Sequence, residues 1–334
     1  MDLINKLLEE LEKLQMPNGA FIAAPSEEYR ACWIRDQLYC ALCYYYLGNI
    51  EKLVKSIRVI FEILRKHWNK IDKDRGNYIH AKYDALTFEQ ITDDWGHHQL
   101  DALGLLLYLT AFVESKKIKL VEEKDRELIK VLIFYLFTVE YWKKPDHGMW
   151  EDYLKVRSSS IGSVLTGLIW LDKEKIISVP EPLITNGKKS LEALLPNESS
   201  DRETDMAQLS LIWPYNIVEK EMAEIILQRI KENLAKEHGL NRYLRDRYYE
   251  SDDNSPAEWP LGLFWLALAE FQISNIEEAK FWLEKGFKQI TDNHRISELY
   301  QNGQPNKNTP LAWAMSFAII ALILILIKQK KQGI

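Results

Sequence analysis

Apolar helical segments, each preceded by a polar stretch, are what most restrict the folds open to this sequence. Helical periodicity recurs along the whole chain and no alternating strand pattern interrupts it. It predicts helices over 2–15, 28–47, 50–67, 96–114, 121–141, 158–172, 180–194, 203–212, 216–236, 258–272, 276–291 and 310–327. Those near 50–67, 121–141, 216–236 and 276–291 carry Lys and Glu along one side, as half-exposed helices do. The others, such as LDALGLLLYLTAFV, SIGSVLTGLIWL, PLGLFWLALAEF and LAWAMSFAIIALILILI, are apolar nearly all round, so they must be buried.

Alternating buried and half-exposed helices imply an inner ring sheathed by an outer one. The polar stretches that contain Gly and Pro, 17–36, 72–99, 143–157, 196–205, 239–260 and 292–310, fall just before the apolar helices. They recur about every fifty to sixty residues, the mark of a repeated helix-pair unit. In a closed ring of six helical hairpins, every segment leading into an inner helix emerges at the same end. The spacing therefore predicts an all-α (α/α)6 barrel, one domain over 1–334. Around one mouth it places WIRD (33–36), DDWGHHQLD (93–101), WED (150–152), Thr204-Asp205, RYLRDRYY (242–249) with AEWP (257–260), and SELYQNG (297–303).

This plan decides how the C-terminal apolar run is read. Leu311 to Ile327 sits at the lower edge of a bilayer span, and Lys328, Lys330 and Lys331 after it would suit a cytoplasmic flank. As the twelfth helix the run closes the ring, so a buried inner helix is expected and no membrane partner. The N-terminal MDLINKLLEELEKL is charged throughout and reads as an amphipathic helix rather than a signal peptide. The three cysteines, Cys32, Cys40 and Cys43, share one apolar segment, which points to buried thiols in a reducing, cytoplasmic setting. A net charge of -6 argues against a nucleic-acid partner. No second Cys or His cluster has ligand spacing, so neither a metal nor a cofactor is expected. The 11 Trp could be sugar-stacking faces or simply large core residues.

Several mouth segments carry motifs. Trp33-Ile34-Arg35-Asp36 resembles the W-x-R-D motif of glycoside hydrolase family 15, the glucoamylase family. Gly148-Met149-Trp150-Glu151-Asp152 resembles its Gly-(Leu/Ile/Met)-Trp-Glu-(Glu/Asp) segment. Arg242 to Asp246, with Tyr248 and Tyr249, is similar to its R-Y-x-x-D-x-Y-Y segment. Ser297-Glu298-Leu299-Tyr300 and Pro310-Leu311-Ala312-Trp313 resemble its closing S-E-x-Y and P-L-x-W elements. Asp94 to Asp101 and Glu258-Trp259-Pro260 are similar to the related N-terminal domains of phosphorylase kinase α and β subunits. The motifs run in the right order over nearly the whole chain. Two departures stand out: there is no room for the β-sandwich domain that precedes the barrel in many microbial members, and Asp152 replaces the more usual Glu.

The resemblance implies an inverting exo-α-glucosidase that releases β-glucose from the non-reducing ends of α-glucans or α-glucosides. Through the kinase likeness it also allows a non-catalytic glucan-binding or regulatory domain. Inverting glycosidases need one protonated carboxyl and one ionised carboxylate about 6.5–9.5 Å apart, in environments that drive their pKa values in opposite directions. Glu151 has features of the acid, with Trp150 as apolar cover and Asp152 disfavouring a second negative charge, and the resemblance gives it that role. Glu298 matches the general base, with Tyr300 and Asn302 near enough to hold a water.

Arg35 and Asp36 are either paired with another repeat or, by the resemblance, bind the terminal glucose with Trp33 nearby. Arg242 and Asp246 are a helix-surface pair or sugar contacts. Trp95, His97, Trp150, Asp152, Glu258, Trp259 and Tyr300 complete the expected substrate-binding set. His97 and His98 with Asp101 read as a polar wall rather than a metal site, and Asp205 as an N-cap. Tyr248 and Trp259 either stack on sugar rings or pack the inner layer.

Overall fold

The computed structural model describes residues 2–72, 77–251 and 254–327. In chain order its helices are α1 (Asp2–Glu12), α2 (Ile34–Leu47), α3 (Ile50–Lys66), the short α4 (Asn69–Asp72), α5 (Leu100–Ser115), α6 (Glu123–Thr138) and α7 (Ser158–Lys173). There follow α8 (Glu181–Leu194), α9 (Leu209–Ile212), α10 (Lys220–Leu234), α11 (Leu261–Gln272), α12 (Ile276–Phe287) and α13 (Ala312–Ala321). Helices α2, α5, α7, α9, α11 and α13 touch in that order and α13 returns to α2, so they close a ring. With α1, α3, α6, α8, α10 and α12 around it, this is the expected (α/α)6 barrel.

Sequence character dictates the layers. In α3, Leu53, Ile57, Ile60 and Leu64 recur at helical spacing and are buried, while Glu51, Lys55 and Glu62 face outward. Every residue of α13 is buried, and the run continues as a π-helical turn over Leu322–Ile327. The C-terminal apolar run is therefore an inner helix, and among the described residues no helix is long and apolar enough to cross a membrane. Lys328, Lys330 and Lys331 lie outside the described residues. The packing of α5 on α7 depends on Gly104: a Cβ there would meet the Ser163 carbonyl carbon at 2.4 Å. Cys32, Cys40 and Cys43 are buried free thiols, each with its pKa pushed up by burial.

Two predicted helices are in part strand or 3-10 turn, which periodicity does not imply. Over 28–47 the helix starts only at Ile34; before it come a 3-10 turn, Glu27–Tyr29, and strand β1 (Ala31–Trp33). Strand β1 pairs antiparallel with β2 (Lys82–Asp84), setting Trp33 opposite Lys82. An apolar run this short fits either helix or strand, and the pairing partner decides it. Over 203–212 there is only a 3-10 turn, Met206–Gln208, and the single turn of α9. Pro214 accounts for this, because a residue before proline is driven to the extended conformation that Trp213 adopts.

The six lead-in segments are joined in a circle by backbone hydrogen bonds. β1 pairs with β2, and the links continue with His147 N–H to His98 C=O (2.8 Å), Ser158 N–H to Glu198 C=O (2.7 Å) and Met206 N–H to Arg242 C=O (2.8 Å). Tyr300 N–H to Glu258 C=O (2.8 Å) and Ala312 N–H to Ala23 C=O (2.9 Å) complete the circuit. The result is a collar of fixed loops over one end of the barrel.

Candidate active site

Residues of this collar line a cavity of about 680 Å³. Trp33, Arg35, Asp36, Trp95, Trp150, Glu151, Asp152, Arg242, Asp246, Trp259 and Glu298 all face it. His97, Glu258 and Tyr300 do not.

Glu151 sits on a turn in the left-handed region, φ 61°, a conformation that costs a non-glycine residue energy and persists only when its surroundings hold it. Here three donors do so. Trp33 Nε1 (2.9 Å) and Gln99 Nε2 (2.8 Å) donate to Oε1, and Trp95 Nε1 donates to Oε2. Gly96 lets the 93–99 segment come this close, since a Cβ on it would meet the Glu151 carbonyl oxygen at 2.4 Å. Behind the two indoles lies a buried cation. The Lys82 ammonium is 4.1 Å from the centroid of Trp95 and 5.1 Å from that of Trp33, and it is paired with Asp93 at 2.7 Å.

The expected surroundings of Glu151 therefore need correcting. Trp150 does not cover it: that indole donates to Asp205 Oδ1 (2.6 Å), and its ring stacks near Trp313 at 6.1 Å. The covering indoles are Trp33 and Trp95. Nor is Asp152 a bare negative neighbour, because Arg157 and Arg202 (2.7 Å) both pair with it.

Glu298 is 1% exposed. Tyr29 Oη donates to Oε1 (2.6 Å), and Asn306 Nδ2 and Asn308 Nδ2 both donate to Oε2 (2.6 Å each). Burial raises its pKa, against the pull of these three bonds and of Arg242. Tyr300 and Asn302 are not its partners. They belong to a hairpin of strands β3 (Tyr300–Gln301) and β4 (Gln304–Pro305). Tyr300 stacks on His238 at 4.5 Å, and Asn302 N–H donates to Ser251 Oγ. Glu258, bridged to Tyr300 through its backbone, accepts from His238 N–H at 2.6 Å.

The other charges separate into paired and unpaired. Arg35 pairs with Asp101 of α5 at 3.2 Å, donates to Gln99 at 2.8 Å and reaches Glu151 at 3.6 Å, so it ties two repeats together. Asp36 has no hydrogen-bond partner among the described residues, and its carboxyl faces the cavity. Burial pushes its pKa up to about 7; Glu151, Glu298 and Asp101 add to the effect and Arg35 opposes it. Arg242 and Asp246 form a buried two-pronged pair (2.6 and 2.8 Å) on a loop rather than a helix surface. Tyr248 and Trp259 stack on each other at 6.2 Å.

His97 lies behind the wall, stacked on His80 at 4.2 Å and bonded to Asp93. His98 packs against Tyr78 at 4.8 Å. Among the described residues no group of three His, Cys, Asp or Glu could hold a metal ion. Asp205 caps the 3-10 turn by accepting from Ala207 N–H at 2.8 Å. The sequence reading did not single out Tyr29, Lys82, Gln99 or Asn306. Their places depend on how the collar folds back, although a Tyr four residues before the W-x-R-D segment was a usable signal.

A family model for glycosyl hydrolases family 15 matches residues 3–166. The phosphorylase b kinase regulatory subunit alpha of mouse skeletal muscle (Mus musculus) is 23% identical over 380 residues, covering 90% of this chain and 30% of that one. Its Caenorhabditis elegans counterpart is 24% identical, covering 93% and 32%. The chain thus spans under a third of the length of these curated relatives. Among solved structures, a glycosidase variant in complex with glucose superposes with a TM-score of 0.83 at 16% identity, over 97% of this chain and 96% of that one. The glucoamylase of Saccharomycopsis fibuligera gives 0.72 at 15%, over 98% and 94%. The resemblance carried by the mouth motifs holds: the chain is similar to family 15 glycosyl hydrolases and to phosphorylase kinase alpha subunits, and it has the (α/α)6 fold of the glucoamylases.

Proposed function

We propose that this chain is an inverting, exo-acting α-glucosidase of glucoamylase type, with residues 1–334 as one catalytic domain. The observation that carries the reading is that Glu151 and Glu298 face one cavity, each with one acceptor position left. A carboxylate has about four acceptor positions. In Glu151, Trp33, Gln99 and Trp95 take three, leaving one on Oε2, where a transferable proton would sit. In Glu298, Tyr29, Asn306 and Asn308 take three, leaving one on Oε1 for a water.

In this mechanism Glu151 protonates the departing glycosidic oxygen as the C1–O bond breaks. Glu298 removes a proton from the water that attacks C1 from the opposite face. Asp36 accepts hydrogen bonds from hydroxyls of the terminal glucose. Arg242 contacts the sugar from its pair with Asp246, Trp150 and Trp259 supply apolar faces, and Arg35 holds Glu151 and Gln99 in place. The glucose-bound glycosidase with the same fold supports a sugar in this cavity.

A second reading is favoured by the curated relatives, which are kinase regulatory subunits: a glucan-binding domain without turnover. Incubation with maltose, isomaltose, trehalose and soluble starch separates the two. Glucose release that appears first as the β-anomer supports the hydrolase. Binding without release across the panel supports the regulatory domain.

A further inference from the structure

Five arginines line the cavity, and three are neutralised where they stand. Arg35 pairs with Asp101, Arg202 with Asp152 (2.7 Å) and Asp205 (2.8 Å), and Arg242 with Asp246 (2.6 Å). Arg245 and Arg247 differ. Both are exposed, and among the described residues neither side chain has an ion-pair or hydrogen-bond partner. Asp246, which lies between them in sequence, is buried and spends both oxygens on Arg242. The remaining lining acid without a partner at the rim is Asp94, on the second lead-in segment, which faces the fifth across a ring of six. One side of the mouth thus carries two uncompensated guanidinium groups.

We infer that Arg245 and Arg247 bind a phosphate monoester on the departing part of the substrate, so that the preferred substrate is an α-glucoside whose leaving sugar is phosphorylated. This deepens the hydrolase reading and rests on it. The terminal glucose enters first and meets Asp36 and Glu298 at depth, so the leaving group stays at the mouth, where Arg245 and Arg247 are. A neutral glucan gains nothing from two uncompensated cations at the mouth. A dianionic phosphate offers three acceptor oxygens, and planar guanidinium groups bind such oxygens in parallel pairs. Tyr153, 79% exposed on the same rim, offers a ring face for the leaving sugar itself. The phosphate ester stays intact; only the C1–O bond is hydrolysed.

The test compares kcat/KM for maltose, for maltose phosphorylated at O6 of its reducing glucose, and for maltose phosphorylated at O6 of its non-reducing glucose. The reducing-end phosphate should raise kcat/KM roughly tenfold or more over maltose, and the non-reducing-end phosphate should abolish turnover. The advantage should shrink in high salt and collapse in the double variant Arg245→Gln/Arg247→Gln, and added inorganic phosphate should compete for the same advantage. Calorimetric titration with glucose 6-phosphate and glucose gives a readout independent of turnover, in which only the phosphate should bind more weakly to the double variant. Hydrolysis of maltose with no preference for the reducing-end phosphate overturns this inference and leaves the hydrolase reading standing. Absence of hydrolysis with phosphate-selective, arginine-dependent binding sinks the hydrolase reading and the leaving-group role with it, and leaves the two arginines a sugar-phosphate binding site. Equal binding of both sugars by wild type and variant, without hydrolysis, sinks both.

Discussion

Tyr29 donates its hydroxyl to Glu298 across 2.6 Å, joining side chains 269 positions apart in the chain. That bond lowers the pKa of Glu298, against the burial that raises it. Tyr29→Phe should therefore cut kcat about tenfold to a hundredfold, the value of a hydrogen bond to a charged group. It should also move the acidic limb of kcat/KM to higher pH, because a base whose pKa rises is protonated sooner as pH falls. An unmoved limb in the pH profile of the variant would remove Glu298 from the base role.

Glu151→Gln keeps the shape that Trp33, Trp95 and Gln99 surround but has no proton to give. Turnover of maltose should fall by about a hundredfold to ten-thousandfold, with binding little changed. A glucosyl fluoride, whose leaving group needs no protonation, should recover much of the loss. Glu298→Gln should recover none, since the role proposed for it is to activate water. Equal recovery in both variants would reject the division of labour.

In the proposed mechanism Lys82 acts only through Trp95 and Trp33, the indoles that lie between it and Glu151 and whose N–H groups its charge makes stronger donors. A desolvated cation over an aromatic face is worth about 2 kcal/mol. Lys82→Met should thus lower kcat by about tenfold with KM nearly constant, and Lys82→Arg should restore much of it. A change confined to thermal stability would leave Lys82 a packing residue only.

Two buried acids cap inner helices from neighbouring segments. Asp146 accepts from Leu100 N–H (2.9 Å) at the start of α5, and Glu198 from Ser159 N–H (3.1 Å) at the start of α7. Burial pushes their pKa values up to about 7 and about 8, above the usual 3.8 and 4.5. Between those limits the folded chain holds protons that the unfolded chain has lost, so stability falls as pH rises through this range. Urea unfolding at pH 5 and pH 8 should show the loss. In Asp146→Asn, where the side-chain oxygen still caps α5, the difference should narrow.

The ring was legible in the sequence because apolar and amphipathic helices alternate, and burial obeys that alternation. That Glu151, Glu298 and Asp36 share one cavity was legible because they lie in or beside the segments leading into inner helices, which the ring brings together. What stayed hidden was set by contacts between segments. The β1–β2 register put Lys82 beside Trp33, and a turn of a few residues aimed Tyr29 at Glu298; neither leaves a periodic trace. Periodicity also overstated the fourth inner helix, although Pro214 was there to be read. The polar partners of Glu151 could not be foreseen from its neighbours in sequence, because Gln99 and Trp95 arrive from the preceding hairpin.

The collar of backbone hydrogen bonds also bears on how the chain reaches its working state. A circuit of six links is complete only when the last segment docks on the first, Ala312 against Ala23. Helical hairpins can form locally and early, but contacts between distant parts of a chain come late because closing long loops is slow. Until then Glu298 has no Tyr29 beside it. Refolding should therefore show helical signal well before glucose-releasing activity, and a stopped-flow trace in which the two rise together would contradict this order. Activity, on this view, times the closing of the ring.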